Sequence, residues 1–484
     1  MGARDRRHSA VPPGRRLRRA TAGLVGLVLV LAGVTFWFDL GTRWLGWDYP
    51  SPVTEPAQVA PPPGLTLPRA EPAAAVARPE DTSAAADPAK VRRALARLLR
   101  DEDLGRRVAV AVHQVDGTEV FRTGPQVVTP ASTMKLLTST AALATLGPDH
   151  TFGTTAVAGG SAREVVLVGG GDPLLARTPP EDGEYPPQAD VTTLAKATAK
   201  SLRRLGRQEV RVGYDASLFT GPAVSPDWPA SYVPDSVVSP ISALWVDEGR
   251  VADGLSSRVD DPPLAAAQAF ARVLEKQGIT VRGRPRATEA PAQAKELARV
   301  ESANVAQIVQ WLLENSDNEA TEVLLRHVGL ARNRPASFSG GSAAVREVLA
   351  GLGVDTDGAR FFDGSGLSRK DRLAPETLLA VLELAASNRH PELRPVAANL
   401  PVAGWTGSLI DRFISGDPAG LGRVRAKTGT LSGVHGLAGF TTDRDGTVLS
   451  FVAVADRVKL LDTLDARQTL DEMAAALAGC RCGR

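Results

Sequence analysis

The chain has 484 residues, of which 43% are hydrophobic and 23% charged, so it is too long and too apolar to be wholly disordered. This length favours two domains plus tails. The net charge is +2 for the whole chain and +6 for its first twenty residues, which leaves −4 for the body. A mildly acidic body argues against nucleic acid as a partner, because phosphate binding requires a basic face.

The N-terminal part of the chain is predicted to lie outside the folded body. Residues 1–19 form a basic tail, and residues 20–38 carry no charge over a length that suits one membrane-spanning helix. The arginines before this span predict a cytoplasmic N-terminus and an extracytoplasmic body at the cell membrane. A cleaved signal peptide is the alternative, and it would export the body as well. Residues 39–88 are rich in Pro and Ala and predict a linker.

The two cysteines, Cys480 and Cys482, lie at the extreme C-terminus. Two cysteines are too few for a disulfide framework or a zinc site. A bond between residues so close in sequence is expected to be strained. We therefore interpret the pair as uninformative.

The first chemical signal is a Ser-x-x-Lys motif at the start of a predicted helix. Pro130 precedes this helix and Gly147 follows it, as is typical of helix ends. Ser132 lies in the first turn and Lys135 follows three residues later, so both side chains project from one face. The free backbone N–H groups of a first turn can also stabilise an oxyanion.

The lysine of this motif is unusual for the chain, because only nine of its 56 basic residues are Lys. Arginine keeps its proton near neutral pH, whereas a desolvated lysine can lose it and act as a general base. The motif is weak by itself, since Ser at a helix start is commonly a cap and Lys one turn later commonly faces solvent.

Two further motifs follow in the second half of the chain. Ser316-Asp-Asn318 lies at the junction of two predicted helices. Lys427-Thr-Gly-Thr430 lies on a predicted strand, and residues 433–440 and 448–455 predict two more strands of a meander. Lys427 and Gly429 would share one face of their strand, where the glycine allows close approach of a substrate.

Together, the three motifs resemble those of the penicillin-binding protein and serine β-lactamase superfamily. The interval from Ser132 to Ser316 is 184 residues and that from Ser316 to Lys427 is 111. The long first interval indicates an inserted domain and narrows the resemblance to the class C low-molecular-mass penicillin-binding proteins, also called the penicillin-binding protein 4 family. Other segments, such as 169–174, 239–244 and 363–368, resemble the same family.

The resemblance implies an α+β fold of the β-lactamase/transpeptidase type, in which a five-stranded antiparallel sheet is flanked by helices. Residues 89–160 and 300–480 would form the transpeptidase-like domain, and residues 161–299 a mostly β insertion. The implied function is that of a serine-type D-alanyl-D-alanine carboxypeptidase of peptidoglycan stem peptides, with D,D-endopeptidase activity left open. β-Lactams would be covalent inhibitors, and neither a metal nor another cofactor is implied.

The resemblance also implies how the acyl-enzyme forms. Ser132 would attack the carbonyl of the penultimate D-alanine, and neutral Lys135 would accept its proton. The backbone N–H groups of Ser132 and Thr430 would hold the oxyanion. Ser316 would relay a proton to the leaving amine.

The remaining motif residues are expected to bind the substrate. Asn318 would bond the substrate amide, while Lys427 and Thr428 would meet the terminal carboxylate. Gly429 and Thr430 complete this strand of the cleft. For the stem-peptide side chain no residue is assigned. Our register places Tyr232 at the position where relatives carry an acidic residue, with Asp227 and Asp235 nearby.

Two other functions remain open on the sequence. A membrane-tethered β-lactam receptor or scaffold would use the same residues to acylate without turnover. A β-lactamase would require a carboxylate that activates the deacylating water, and no Glu-x-x-x-Asn occurs between Ser316 and Lys427. A Ser-His-Asp hydrolase is disfavoured, because the sequence contains no Gly-x-Ser-x-Gly elbow.

Overall fold

A computed structural model describes residues 85–181, 183–251 and 257–483. The predicted basic tail, the predicted membrane span and the linker up to residue 84 lie outside the described residues. Within the described part of the chain, no helix combines the length and the apolar composition needed to cross a bilayer.

Eleven strands occur in the described residues, and they build two sheets. In chain order they are β1 (Val108–Gln114), β2 (Glu119–Thr123), β3 (Gly153–Ala158), β4 (Glu164–Val168), β5 (Glu209–Asp215), β6 (Thr280–Val281), β7 (Arg286–Ala287), β8 (Glu296–Glu301), β9 (Arg425–Leu431), β10 (Val434–Thr442) and β11 (Val448–Asp456).

Ten α-helices accompany these strands in the described residues. In chain order they are α1 (Pro88–Leu95), α2 (Lys135–Leu146), α3 (Val191–Arg204), α4 (Pro262–Lys276), α5 (Val305–Asn315), α6 (Asn318–Ala331), α7 (Phe338–Gly351), α8 (Pro375–Ala386), α9 (Arg394–Ala398) and α10 (Thr463–Gly479).

The first sheet has the strand order β2-β1-β11-β10-β9, and every pairing in it is antiparallel. This confirms the predicted five-stranded antiparallel sheet of an α+β fold. The first and the last strand of the described body lie side by side in this sheet, because β1 pairs with β11 and Val108 lies opposite Ala455. Strand β9 carries the Lys-Thr-Gly motif and forms one edge of the sheet.

The pleat of this sheet divides its side chains between two cores. On β11, Val452 and Val454 join a core with helices α2 and α8, whereas Phe451 and Ala453 join a second core with helix α10. Alternation of this kind follows from the two-residue period of a strand. The sheet therefore lies between two helical layers.

Helix α2 lies at the centre of the first layer. It packs against α5, α6, α7 and α8, and every residue from Lys135 to Leu143 is buried. A helix that is buried on all sides has little freedom to shift. The Ser-x-x-Lys motif is thus placed at the end of a rigid element.

The inserted domain has its own sheet, in the order β6-β5-β4-β3-β8 with β7 beside β5, and its own core. The prediction of a mostly β insertion is wrong, because β4 and β6 both run parallel to β5 and helices α3 and α4 connect them. Parallel neighbours need long crossover connections, which helices provide. The sheet also runs from Gly153 to Glu301, beyond the predicted bounds of 161 and 299.

A disulfide and two hydrogen bonds at its cysteines fix the C-terminal tail against the folded body. Cys480 and Cys482 form a disulfide with their Cα atoms 5.2 Å apart, a spacing in the normal range for such bonds. The Cys482 N–H donates to Asp443 Oδ2 at 2.9 Å, and the Cys482 carbonyl accepts from the Asp87 N–H at 2.7 Å. The interpretation of this pair as uninformative is therefore corrected: it belongs to a turn that joins both ends of the described body.

We predict that Leu137→Ala on helix α2 lowers the free energy of unfolding by about 2–5 kcal/mol, because it leaves a cavity in a fully buried layer. Chemical denaturation of the two proteins measures the difference. Leu464→Ala on helix α10 is the matched control, since that leucine is 71% exposed and its change is expected to stay within about 0.5 kcal/mol. Equal effects of the two changes would contradict the central position of α2.

Candidate active site

Ser132 lies on a short 3₁₀ turn, Ala131–Met134, that leads directly into helix α2. Ala131 adopts a positive φ of 48° before it, and the Thr133 hydroxyl donates to the Pro130 carbonyl at 2.7 Å. Ala131 and Thr133 are buried, whereas Ser132 is partly exposed. The turn thus presents one hydroxyl to solvent from an otherwise buried segment.

The Lys135 amine lies beneath this hydroxyl and is fully buried. Its Nζ is 2.9 Å from Ser132 Oγ, 2.8 Å from Asn318 Oδ1 and 3.1 Å from the Ser365 carbonyl oxygen. Burial lowers the pKa of Lys135 to about 8, although nearby carboxylates oppose this shift. Roughly a tenth of the amine is then neutral at pH 7, which is enough to accept a proton.

The Ser-x-Asn motif lies where helix α5 ends and α6 begins. Ser316 caps α5 in the left-handed conformation, with φ 56°, and its N–H donates to the Leu312 carbonyl. Asp317 then caps α6 by accepting from the Ala320 N–H at 2.9 Å. Helix α5 thus ends and helix α6 begins within two residues, and the caps of both helices hold the Ser316 side chain at the cleft.

Both polar atoms of Asn318 already have partners in this structure. Its Oδ1 accepts from Lys135 Nζ, and its Nδ2 donates to the Val237 carbonyl at 3.1 Å. Asn318 therefore orients the lysine and joins it to the segment that precedes Ser239. The predicted bond from Asn318 to the substrate amide stays a prediction.

Strand β9 directs its motif residues to two different faces of the sheet. Lys427 is fully buried and its Nζ donates to the Thr428 carbonyl at 3.1 Å. Burial, with a further contribution from the nearby Lys135, holds the pKa of the Lys427 amine well below its ordinary value. The Thr428 hydroxyl lies on the other face, where it donates to Ser408 Oγ at 3.0 Å.

The outer edge of β9 offers backbone donors to the cleft. The Ala426 N–H points outward, because it donates to the Pro401 carbonyl at 2.9 Å outside the sheet. Backbone N–H groups alternate along a strand, so those of Thr428 and Thr430 point to the same outer side. Thr430 also lines the cleft beside Ser132. An oxyanion donor is thus available at the predicted position.

Gly429 allows β9 to lie directly against the turn that carries Ser132. A Cβ atom at this position would be 2.8 Å from the Pro130 carbonyl oxygen and 3.2 Å from Thr133 Cγ2. Any side chain would therefore push the strand and the turn apart.

The motif residues meet at one cleft of about 510 Å³. Of the predicted site residues, Ser132, Ser316, Asn318, Thr428 and Thr430 line it. The other three lie behind these lining residues and contact them or their neighbours. Lys135 donates to Ser132, Lys427 donates to Thr428, and Gly429 lies against the Ser132 turn.

Sequence reasoning missed several residues of this cleft, among them Ser408, Arg412 and Arg467. They come from a loop before β9 and from helix α10, where no local motif marks them. Tyr232, which our register placed near the side-chain subsite, does line the cleft. None of the described residues that line it is Asp or Glu.

A buried acidic layer supports Lys135 from behind. Glu322 Oε1 accepts from the N–H groups of Gly364 and Ser365 at 3.0 and 2.8 Å. Burial and the nearby Asp363 raise the pKa of Glu322 to about 7. Because these bonds fix the Ser365 carbonyl, they also fix one of the three contacts of the Lys135 amine. Segment 363–368 has no role that its sequence alone reveals, and in the structure it supports the lysine through the Ser365 carbonyl.

The sequence profile of the D-Ala-D-Ala carboxypeptidase 3 (S13) family matches residues 91–257 and 252–478 of the chain. A carboxypeptidase of Mycobacterium tuberculosis is 36% identical over 96% of this chain and 99% of its own length. Carboxypeptidase DacB of Mycolicibacterium smegmatis is 35% identical over 97% of this chain and 99% of its own. The D-alanyl-D-alanine carboxypeptidase of an Actinomadura species is 29% identical over 70% and 75% of the two chains.

Among solved structures, penicillin-binding protein 4 of Haemophilus influenzae is similar to this chain with a TM-score of 0.64. The match covers 78% of this chain and 98% of the other, at 24% sequence identity. At this identity the likeness concerns the fold.

We predict that acylation of Ser132 by labelled penicillin speeds up as the pH rises and levels off above about 8. Only the neutral Lys135 amine can take the serine proton, and its pKa is about 8, so the reactive fraction grows about tenfold per pH unit below that value. Rapid-quench kinetics over this range measures the profile. Lys370→Met, at an exposed lysine paired with Asp227, should leave it unchanged. A flat profile would contradict the general-base role.

We also predict that Gly429→Ala slows this acylation about 100-fold, because the added methyl group displaces β9 from the Ser132 turn. The same kinetic assay measures the loss. Gly351→Ala is the control, since a methyl group there meets no atom within 4 Å. A rate for Gly429→Ala within about threefold of the unchanged protein would refute the close-approach argument.

Proposed function

Because the chain belongs to the D-Ala-D-Ala carboxypeptidase (S13) family, it is a serine-type D-alanyl-D-alanine carboxypeptidase, and we propose that Ser132 is its nucleophile. One observation carries this assignment. The Ser132 hydroxyl is open to the cleft and lies 2.9 Å from a buried lysine amine of lowered pKa. A weak nucleophile next to a base of this kind is the arrangement that acyl transfer requires.

In the first half of the reaction, Ser132 Oγ attacks the carbonyl carbon of the penultimate D-alanine. The new C–O bond forms as the hydroxyl proton passes to neutral Lys135, and the carbonyl oxygen becomes an oxyanion. The backbone N–H groups of Ser132 and Thr430 stabilise that charge. The outward direction of the Thr430 N–H supports this role.

Collapse of the tetrahedral intermediate breaks the C–N bond and releases the terminal D-alanine. Its leaving nitrogen needs a proton, and Ser316 at the cleft relays one from the protonated Lys135. Water then attacks the acyl-enzyme, with Lys135 as the base again, and restores the Ser132 hydroxyl.

Asn318 and Lys427 assist this chemistry. Asn318 fixes the position of the Lys135 amine through its 2.8 Å bond. The buried Lys427 amine donates to the Thr428 carbonyl and so supports the strand that carries Thr428 and Thr430, and burial and the nearby Lys135 hold its pKa well below its ordinary value. The substrate contacts expected of Thr428, Gly429 and Thr430 are part of the same proposal.

Peptidoglycan stem peptides that end in D-Ala-D-Ala are the proposed substrates, and β-lactams the proposed covalent inhibitors. In support, the structure of penicillin-binding protein 4 from Haemophilus influenzae has been solved in complex with a β-lactam. Release of an amine from a crosslink in place of free D-alanine would give endopeptidase activity by the same steps. Mass spectrometry of a muropeptide digest distinguishes the two activities, because only the endopeptidase opens crosslinks.

The alternatives differ in what happens after acylation. A receptor would hold the acyl group, whereas a β-lactamase would need a carboxylate near the deacylating water. The absence of Asp and Glu from the described lining of the cleft disfavours the β-lactamase. Family membership favours turnover of peptides over the receptor.

We place the catalytic body outside the cytoplasmic membrane, as residues 20–38 predict. Peptidoglycan lies on that side of the membrane, which agrees with the proposed substrate. The anchor itself stays a prediction from the sequence, and so does its alternative, a cleaved signal peptide.

We predict that a purified body spanning residues 85–484 releases D-alanine from muropeptides, and that Ser132→Ala lowers the rate by at least about 1,000-fold, because the nucleophile is lost. Mass spectrometry of the digest identifies trimmed stems and any opened crosslinks. Ser139→Ala is the matched control, because this buried serine lies on helix α2, directly after the Ser132 turn, and has no hydrogen-bond partner among the described residues. It should retain full activity.

Two outcomes of this experiment would contradict the proposal. If labelled penicillin acylates Ser132 but no muropeptide changes mass, the protein is a receptor. If Ser132→Ala keeps the activity of the unchanged protein, the nucleophile lies elsewhere.

A further inference from the structure

Strand β9 directs its side chains to two opposite faces of the sheet, and the hydroxyls of its two threonines lie on only one of them. Gly429 faces the Ser132 turn, and Lys427 shares that face. Thr428 and Thr430 point to the opposite face, to which Ala426 contributes in the core around helix α10. The hydroxyls expected to bind the terminal carboxylate are therefore on the α10 side.

The Lys427 ammonium is poorly placed to meet a carboxylate on that side. It is fully buried on the other face and donates to the Thr428 carbonyl. Its burial also disfavours the charged form. The positive charge that the sequence assigned to the carboxylate must then come from another residue.

Two arginines line the cleft on the α10 side, but only one of them is neutralised. Arg412 forms two bonds with Asp471, from Nη2 at 2.5 Å and from Nε at 2.7 Å. Within the described part of the chain, no carboxylate lies within ion-pair distance of Arg467, and its buried Nε has no hydrogen-bond partner. One positive charge thus remains unbalanced at this end of the cleft.

Asp471, which is paired with Arg412, is the acidic group that acts on Arg467 among the described residues, and the histidine beside it adds no negative charge. His435 pairs with Thr430 across the ladder and therefore shares its face. This histidine is 2% exposed, and neither ring nitrogen has a hydrogen-bond partner in the part of the chain that the structure describes. Burial and the two nearby arginines lower its pKa to about 4, so it is neutral. Burial and Arg412 also lower the pKa of Arg467, while Asp471 opposes them. An anion bound here would relieve this repulsion.

We propose that Arg467 is the residue that recognises the free C-terminal carboxylate of the substrate. The guanidinium of Arg467 would donate to that carboxylate together with the hydroxyls of Thr428, Thr430 and Ser408, which line the same cleft. The inference rests on the proposed function, since it names the specificity residue of the same reaction.

This placement gives the enzyme a way to tell two kinds of peptide apart. A stem that ends in D-alanine carries a carboxylate at this position, whereas its C-terminal amide carries an uncharged group. Arg467 therefore favours release of a residue with a free carboxylate over release of one whose carboxyl group is amidated. Its side chain is a specificity determinant and takes no part in bond making.

The test compares two peptides that differ only in this group: an N-acylated stem peptide ending in D-Ala-D-Ala and its C-terminal amide. We expect Arg467→Gln to lower kcat/KM for the free acid about 10- to 100-fold, the loss of a charge-assisted hydrogen bond, mostly through KM. The value for the amide should change less than about twofold. Arg467→Lys, which keeps the charge but not the planar fork, should fall between them.

Arg97→Gln is the matched control. Arg97 contacts Glu472, which lies on helix α10 as Arg467 does. The Arg97 side chain is 84% exposed and does not line the cleft. This variant removes the same charge and should leave both peptides unaffected.

Two results would overturn the assignment of Arg467. Equal losses for acid and amide would mean that Arg467 is structural, and no loss for either would mean that other groups hold the carboxylate. Both are distinct from failure of the proposed function, in which the unchanged protein would release neither D-alanine from the acid nor D-alaninamide from the amide, or Ser132→Ala would retain activity.

Discussion

The buried amine of Lys135 is the feature on which the rest of this site depends. Its three partners, the Ser132 hydroxyl, the Asn318 side chain and the Ser365 carbonyl, come from three separate segments of the chain. Burial of a charged amine is costly, so the protein shifts the lysine towards its neutral form. A serine hydroxyl beside a neutral amine can give up its proton and act as a nucleophile. The surrounding contacts hold the hydroxyl and the amine in this geometry.

Strand β9 connects this base to the substrate. As an edge strand it has free outer N–H groups, and as a pleated strand it sends alternate side chains to opposite faces. One face packs against the nucleophile turn through Gly429, and the other meets the arginines beside helix α10. In the proposed mechanism, activation of the serine and recognition of the substrate terminus therefore lie on the two sides of one strand.

Local patterns predicted most of the residues to which we assign catalytic roles in our proposal. Ser132 and Lys135 follow from helical spacing, and the strand of Lys427 follows from alternation and the meander after it. The same patterns wrongly predicted a mostly β inserted domain, although Val191, Leu194 and Leu202 form one buried helical face there. The short β-like runs were recognised, but the helices that connect them in parallel were not. The contacts of Asn318 and Ser365 with the Lys135 amine were not predicted either, because Lys135 is distant from both residues in sequence.

The sequence by itself determined the residue types of the reaction, their order and the family whose fold brings them together, because these are carried by short motifs and by the intervals between them. Only the tertiary structure decided that the Lys427 amine is fully buried and bonded to the Thr428 carbonyl, that Asn318 is already bonded and that Arg467 reaches the cleft from the last helix. The physical reason is that such contacts join residues far apart in sequence. They depend on how the sheet packs between its two helical layers, which no local pattern records.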